Sequence, residues 1–249
     1  MAFQTIFKRY EIKYMLTLEQ KEKILCAMQN YMSLDKYGRS SIRNVYFDTD
    51  NYRLIRRSIE KPIYKEKLRI RSYGKAEKDG NVFVELKKKY DGIVYKRRIA
   101  LPCDTAFNWV QGKAPCPTDT QISREIEYFL KHYETLRPAA FLSYEREAYY
   151  EKSGGSFRVT FDDNILFRTD ELSLDTDAFG SPLLENGKVL MELKCSGGIP
   201  LWLVKVLSEE KIYKTSFSKY GTGYSKIIYP SINTQTYISQ EKKYATLNR

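Results

Sequence analysis

Apolar and charged residues alternate along several segments of this chain. Residues 67–71, 83–87 and 191–194 read Lys-Leu-Arg-Ile-Arg, Phe-Val-Glu-Leu-Lys and Met-Glu-Leu-Lys. Side chains two residues apart on a strand lie on the same face of a sheet. Each segment is therefore predicted to form a strand with one apolar face and one charged face.

Along the whole chain, the same pattern predicts about eight strands and three helical regions. Thr17 and Gln20 form a capping box that begins a helix, whose apolar stripe runs from Leu18 to Met32. Helical regions are also predicted over residues 104–136, interrupted at 112–117, and over 200–212, whereas 214–224 is predicted to be a loop. The strands are expected over residues 6–14, 41–48, 65–73, 81–90, 93–101, 140–150, 156–162 and 188–195.

Eight antiparallel strands can close into a barrel with space inside. An open sheet with its charged face in water is the ordinary alternative. No linker separates the two halves of the sequence. We therefore expect a single α+β domain over residues 1–230, followed by a polar tail over residues 231–249.

The composition narrows the choice of partner and compartment. The formal net charge of +11 predicts an anionic partner, such as nucleic acid, an acidic membrane or a phosphate compound. The four cysteines are scattered, which is typical of free thiols in a reducing compartment. No signal peptide is visible, and no apolar stretch approaches the roughly 20 residues that span a bilayer. The sequence thus predicts a cytoplasmic protein without a membrane span.

Several kinds of site are excluded by what the sequence lacks. His132 is the only histidine, and it lies beside the apolar stripe of a predicted helix, so we interpret it as a surface residue. A Ser-His-Asp triad and a multi-histidine metal site are therefore ruled out. Neither a P-loop nor a Gly-x-Gly-x-x-Gly motif is present. Any phosphate group would have to be held by side chains.

The charged strand faces are the candidate functional feature. A single face of this kind is usually solvated, but together these faces are mostly cationic, which suits a polyanion. Glu85 and Glu192 could each neutralise the lysine two residues on, or could bind Mg²⁺ or Mn²⁺, which prefer oxygen ligands. Glu192 is favoured because its strand is otherwise poor in charge. The cations are Arg9, Lys13, Arg69, Arg71, Lys87, Lys96, Arg98, Arg146, Arg158 and Lys194.

An ordered set of short motifs resembles a known family. It runs over residues 7–14, 45–49, 67–71, 83–87, 144–146, 157–162, 191–194 and 217–220, and covers about residues 5–225. The set is similar to the catalytic domain of the vacuolar transporter chaperone (VTC) proteins. These form the polyphosphate polymerase branch of the triphosphate tunnel metalloenzymes, also called CYTH-like proteins.

This resemblance implies a fold and an activity. The implied fold is α+β, an eight-stranded antiparallel β tunnel barrel with a charged interior and helices packed outside. The implied activity transfers the terminal phosphoryl group of a nucleoside triphosphate, ATP first among them, to phosphate or polyphosphate. Mn²⁺ or Mg²⁺ assists. Triphosphate and pyrophosphate are further expected ligands, whereas no specific nucleic-acid partner is expected.

The resemblance also implies roles for individual residues. Glu192 would hold the metal, with Glu11 and Glu85 as further candidates, and Ser218 and Lys219 would contact phosphate near one tunnel mouth. Arg9 replaces the first glutamate of the superfamily's Glu-x-Glu-x-Lys motif, which favours polyphosphate chemistry. Lys96 is chosen over the adjacent Arg97 as a ligand. The implied catalytic residues are Arg69, Arg71, Lys87, Arg146, Arg158 and Glu192, and the implied phosphate ligands are Arg9, Lys13, Arg69, Arg71, Lys87, Lys96, Arg98, Arg146, Arg158, Lys194, Ser218 and Lys219.

Two other functions stay open on the sequence. A metal-dependent triphosphatase would act on inorganic triphosphate or a nucleotide, and would need Glu11 or Glu85 to activate water. A non-catalytic protein that binds polyphosphate or nucleic acid would keep the cations without turnover. Transfer to phosphate is preferred over hydrolysis because an anionic acceptor needs no general base.

Overall fold

A large antiparallel sheet is the main feature of the computed structural model, which describes residues 10–77 and 79–233. Arg9 and the part of the predicted tail after residue 233 lie outside the described residues. The strands are β1 (Tyr10–Thr17), β2 (Met32–Asp48), β3 (Tyr64–Tyr73), β4 (Asn81–Tyr90), β5 (Ile93–Pro102), β6 (Arg137–Glu151), β7 (Arg158–Arg168), β8 (Ser181–Pro182), β9 (Lys188–Cys195) and β10 (Lys214–Thr215). The helices are α1 (Leu18–Met28), α2 (Arg53–Ile59), α3 (Cys103–Val110), α4 (Gln121–His132), α5 (Leu201–Glu209) and α6 (Lys219–Gly223), followed by a π-helical turn (Tyr224–Ile228).

All strands belong to one antiparallel sheet in the order β10-β1-β9-β7-β6-β2-β3-β4-β5, with β8 paired to β7. The α+β class and the antiparallel sheet are as predicted. The predicted count of eight strands is corrected to ten, because β8 and β10 add two residues each. The closed barrel is also corrected. Within residues 10–77 and 79–233 no hydrogen-bonded pairing joins β5 to β1 or β10.

The outer face of the sheet carries two apolar cores. One joins β3, β4 and β5 to α3 and α4 through residues such as Leu68, Val84 and Trp109. The other joins β1, β7 and β9 to α1 and α5, with Ile24 and Leu203 fully buried. These cores fix the apolar face that the alternation predicts, so the charged side chains are turned to the opposite face.

A third apolar cluster covers one end of that opposite face. Tyr220 of α6 stacks on Tyr46 of β2 with ring centroids 4.7 Å apart, and its hydroxyl donates to Asp48 at 3.0 Å. Two expectations are therefore corrected. Residues 214–224 are not a loop, since they contain β10 and α6, and α6 packs inside the curve of the sheet rather than outside.

Local signals in the sequence account for most element boundaries. The capping box of Thr17 and Gln20 forms at the start of α1 as predicted. Strand β7 does not end near Asp162, because a bulge opposite Ser143 and Glu145 lets it continue, with Asn164 at φ 45°. Helix α2 has no counterpart among the predicted elements. In the described part of the chain, every helix is too short or too polar to cross a bilayer.

Candidate active site on the inner face of the sheet

The strand registers align the charged positions into one continuous face, called the inner face below. Across β3, β4 and β5, Arg69 is opposite Glu85, which is opposite Arg98. Across β1 and β9, Lys13 is opposite Glu192. Because side chains on neighbouring strands share a face when their residues are directly opposite, the alternation in each strand builds one common surface.

The inner face is concave. Lys87 of β4 donates to Glu11 of β1 at 2.8 Å. In the sheet order, β9, β7, β6, β2 and β3 lie between these two strands. Lys67 of β3 likewise donates to Ser218 beside α6 at 3.0 Å. Contacts between such distant strands require the sheet to curl, so the charged side chains line the inside of an open tunnel.

Glu85 is the centre of the first charged cluster. Its side chain is 1% exposed. Arg69 Nε donates to one carboxylate oxygen at 2.9 Å, and Arg98 Nε and Lys96 Nζ both reach the other at 2.7 Å. Arg71 approaches to 3.9 Å. Both carboxylate oxygens are therefore engaged by cations.

This environment decides the charge of Glu85. Burial alone would raise its pKa, but Arg69, Arg71 and Lys96 outweigh burial and hold the pKa well below its usual range. The guanidinium groups are also fixed by neutral partners, since Arg69 donates to Tyr46 Oη at 2.8 Å. The cluster places two arginines rigidly on the tunnel wall and keeps Glu85 ionised.

Asp162 is the centre of a second cluster. It is fully buried and accepts two hydrogen bonds from Arg146, at 2.6 and 2.7 Å, and one from Lys219. Burial would raise its pKa, but Lys219 and Arg146 together lower it. Tyr144 lies beside these cations, and Arg146, Arg71 and Lys219 outweigh burial to lower its pKa to about 8.

Glu11 and Glu192 form a third cluster. Their carboxylates are close enough for the charge of Glu192 to raise the pKa of Glu11. Glu192 is 3.2 Å from Lys194 and 3.6 Å from Lys13. Its pKa is held well below the usual range, since these lysines outweigh burial. The pKa of Glu11 is also lowered. Burial and the charge of Glu192 both raise it, but Lys87 outweighs them.

Lysines crowd the tunnel at the end of the sheet near α6. Lys65 is directly opposite Lys89, and Lys67 is directly opposite Lys87, which in turn is opposite Lys96. Like charges directly opposite on a sheet repel each other. Burial, with repulsion from Lys65 and Lys87, lowers the pKa of Lys67 to about 7. An anion placed here would relieve that repulsion.

The remaining candidates are placed as follows. Arg158 is exposed at the opposite mouth, with its guanidinium carbon 4.5 Å from the ring centroid of Tyr150. Lys96 lies inside and Arg97 outside, where Arg97 donates to Glu125 of α4 at 2.8 Å. His132, at the end of α4, lines a separate surface cleft with Thr49. The structure thus brings together the other predicted residues in the described range, from Glu11 to Lys219, whereas Arg158 lies apart from the three clusters.

Two central residues, Asp162 and Tyr144, are not predicted as site residues from the sequence. Asp162 reads as part of a turn-prone Asp-Asp-Asn run, and Tyr144 as one tyrosine among many. A signal for Asp162 does exist, because it continues the alternation of Arg158 and Thr160 along β7. No signal in the sequence indicates that Lys219 is the partner of Asp162, since the two residues are far apart in the chain.

One solved structure shares this fold. A candidate adenylate cyclase from Bacillus halodurans has a TM-score of 0.52 at 14% identity, covering 85% of this chain and 95% of that chain. A candidate adenylyl cyclase from Hippeastrum, with a dominant triphosphatase activity, has a TM-score of 0.48 at 14% identity, covering 87% and 94%. A search of curated protein sequences found no match.

The curled antiparallel sheet with a charged inner face has the same fold as the Bacillus halodurans protein. A more specific assignment comes from the sequence. The model of the VTC domain matches residues 8–228, which is most of the chain. The chain belongs to the VTC domain family.

Proposed function

We propose that this protein is a polyphosphate polymerase. It transfers the terminal phosphoryl group of a nucleoside triphosphate, ATP in the first instance, to phosphate or to the end of a polyphosphate chain. The family and the tunnel fold support an enzyme acting on triphosphates. Free thiols at Cys26, Cys103, Cys116 and Cys195 suit a reducing compartment, and we place the protein in the cytoplasm.

The observation that carries the proposal is the poor basicity of the carboxylates available to activate water. The pKa values of Glu11 and Glu85 are both lowered by neighbouring cations. General bases work best with a pKa near the operating pH, so both are weak bases. His132 lies outside the tunnel. An anionic phosphate acceptor needs no base, and this site therefore suits transfer to phosphate.

The proposed reaction forms one bond and breaks one. An oxygen of the acceptor phosphate attacks the terminal phosphorus, the bond to the β-phosphate oxygen breaks, and the nucleoside diphosphate leaves with the electron pair. Arg69, held by Glu85, and Arg146, held by Asp162, provide fixed positive charge for the moving group. Arg71 adds a third such charge and donates hydrogen bonds to Asn44 and Tyr144. Charge fixed in advance stabilises the transition state without reorganisation.

A divalent cation, Mn²⁺ or Mg²⁺, fits one part of the tunnel. Within residues 10–77 and 79–233, no group of three or more His, Cys, Asp or Glu side chains is arranged for a metal. Mg²⁺ is commonly held by one or two carboxylates with water and substrate phosphates, and Glu192 with Glu11 supplies that donor set. When bound, the cation would neutralise charge on the phosphoryl oxygens. We propose that Glu85 positions arginines instead, since Arg69, Arg98 and Lys96 lie within 2.9 Å of its oxygens. The lysines nearest to the Glu192 oxygens are farther away, at 3.2 and 3.6 Å.

The proposal is tested by incubating the purified protein with ATP and Mn²⁺ and resolving the products by gel and ³¹P NMR. We expect long polyphosphate with ADP. Arg98→Gln should lower kcat by about 10²-fold, because it removes one fixed charge and leaves Glu85 with other cationic partners. Arg97→Gln is the matched control, since the same change falls on the outer face, and it should leave kcat unchanged.

Other products identify the alternatives. Free phosphate without polymer would contradict the polymerase and identify a triphosphatase. No turnover, together with tight and salt-dependent binding of duplex nucleic acid, would identify a binding protein. We expect no such duplex binding, because the cations lie inside the curve of the sheet.

A further inference from the structure

Thr160 occupies the middle of the inner face. On β7 it is directly opposite Glu192 of β9 on one side and Ala148 of β6 on the other. The residue is 6% exposed. It is a neutral hydroxyl between the Glu192 cluster and the Asp162 cluster, and nothing in the proposed function assigns it a role.

The hydroxyl of Thr160 is buried, yet its oxygen has no hydrogen-bond partner among the described residues. A buried polar group left without a partner costs about 1–3 kcal/mol. Most buried polar groups in native proteins are paired, so each exception needs an explanation. Valine has nearly the same shape and would occupy the position without that cost. A partner supplied from outside the polypeptide would remove that cost.

The neighbours of Thr160 indicate what this partner is. Glu192, on the adjacent strand, is the carboxylate best placed to hold a divalent cation, and its pKa is held well below the usual range by lysines. Ala148, on the other side, has no side-chain atom beyond Cβ, so its side chain does not fill the space beside the hydroxyl. A hydroxyl can both donate and accept hydrogen bonds, which matches a water molecule in the hydration shell of a cation.

We infer that Thr160 is a positioning residue for the divalent cation, and that its hydroxyl bonds a water molecule of the cation held at Glu192. The inference rests on the proposed metal-assisted function. Residues that orient the surroundings of a metal in this way typically contribute 10–100-fold in affinity. Thr160 would thus act on metal binding before any substrate is present.

The test measures the binding of Mn²⁺ alone to the nucleotide-free protein by EPR. Thr160→Val should weaken Mn²⁺ binding by about tenfold or more, and Thr160→Ser, which keeps the hydroxyl, should restore most of it. The urea unfolding midpoint of Thr160→Val should equal or exceed that of the wild type, because a buried polar group without a polypeptide partner is removed. Thr160→Ala provides a second variant without a hydroxyl.

The chain offers a matched control. Ser143 of β6 also has a buried hydroxyl without a partner in the described range, but on the outer face, opposite Arg43. Ser143→Ala should leave Mn²⁺ binding unchanged. Equal Mn²⁺ affinity in wild type and Thr160→Val would overturn the role of Thr160 alone. A wild-type protein that binds no Mn²⁺ without nucleotide would also overturn this role, whereas turnover of ATP that requires Mn²⁺ would still support the metal-assisted function, because substrate phosphates can complete the metal's ligands.

Discussion

Carboxylates on the inner face fix the positions of the cations. Glu85 holds side chains from β3 and β5, and Asp162 holds side chains from β6 and α6. Both are buried, and the positive groups around each exceed its single negative charge. The result is a wall whose cations are fixed but not neutralised. Such a wall retains the net charge needed to bind a polyanion.

Removing one of these buried carboxylates should destabilise the protein. Asp162→Asn leaves Arg146 and Lys219 without their counter-charge, and breaking a buried ion pair from one side costs about 3–5 kcal/mol. We expect a fall of that size in the free energy of unfolding, measured by urea denaturation. Added tripolyphosphate should recover part of the loss, because it supplies negative charge to the same cations.

The adjacent residue is the control for this measurement. Asp163 accepts from Arg39 at 2.8 Å, but the side chain of Arg39 is 47% exposed. Exposed ion pairs contribute about 0–1 kcal/mol, so Asp163→Asn should change stability little. Equal losses in the two variants would show that burial of Asp162 does not matter.

Lys67 should make anion binding depend on pH. Its pKa of about 7 in the free protein means that the amine is mostly neutral above pH 7. A bound phosphate raises that pKa, so binding takes up a proton, and affinity falls as pH rises above 7. The fall that Lys67 contributes is at most about tenfold per pH unit. Calorimetric titration with tripolyphosphate, in buffers of different ionisation heat, measures both effects.

Lys67→Arg separates this contribution from the titration of the ligand. Arginine stays charged throughout the range, so the variant should take up fewer protons and show a flatter pH profile. Identical profiles for wild type and variant would contradict a role for Lys67 as the titrating group.

Among the elements, α6 carries Lys219, which donates a hydrogen bond to Asp162 on the inner face. Gly223 lies at its last position, and a Cβ there would come within 2.2 Å of the Phe167 ring. Gly223→Ala should therefore destabilise the protein by about 1–3 kcal/mol through overpacking. It should also weaken tripolyphosphate binding, because Lys219 moves with α6. Thermal unfolding and calorimetry measure the two effects.

Gly197 provides the comparison at the level of the element. It lies in the loop between β9 and α5, and an added Cβ there would meet nothing within 4 Å. Gly197→Ala should change stability by less than about 0.5 kcal/mol. Unchanged anion affinity in Gly223→Ala would contradict the link between α6 packing and the position of Lys219.

How well each element is predicted from the sequence depends on how local its causes are. The pattern predicts β3, β4 and β5 to within one residue, because alternation and the Asp91-Gly92 turn act over neighbouring residues. It fails for α6, whose serine, glycine and lysine content favours a loop. That helix is held by Asp48 and Phe167, which are distant in sequence.

The same reasoning applies to the site. Alternation identifies most of the cations, because the face of a strand residue is a local property. The partner of each cation is not local. Glu11 meets Lys87, and Asp162 meets Lys219, because the sheet curls and α6 folds inside it. The sequence therefore predicts the composition of the site better than its geometry.

At the scale of the molecule, curvature converts a charged sheet face into a binding site. A flat sheet with this register would show its lysines to water, whereas the curled sheet makes them face one another. The outer cores, packed under α1 and α5 on one side and α3 and α4 on the other, stabilise this shape. The apolar packing of the outer cores thus offsets the repulsion among Lys65, Lys67 and Lys89.

The pairing of β1 with β9 also has a consequence for how the chain is made. Residues 10–17 pair with residues 188–195, so β1 cannot pair with β9 until the ribosome has synthesised all the residues between them. Contacts this distant in sequence slow folding to milliseconds or seconds. During that interval the strands from β3 to β7 expose their lysines and arginines without Glu11, Glu192 or α6. The proposed polyanion site is therefore incomplete in the nascent chain.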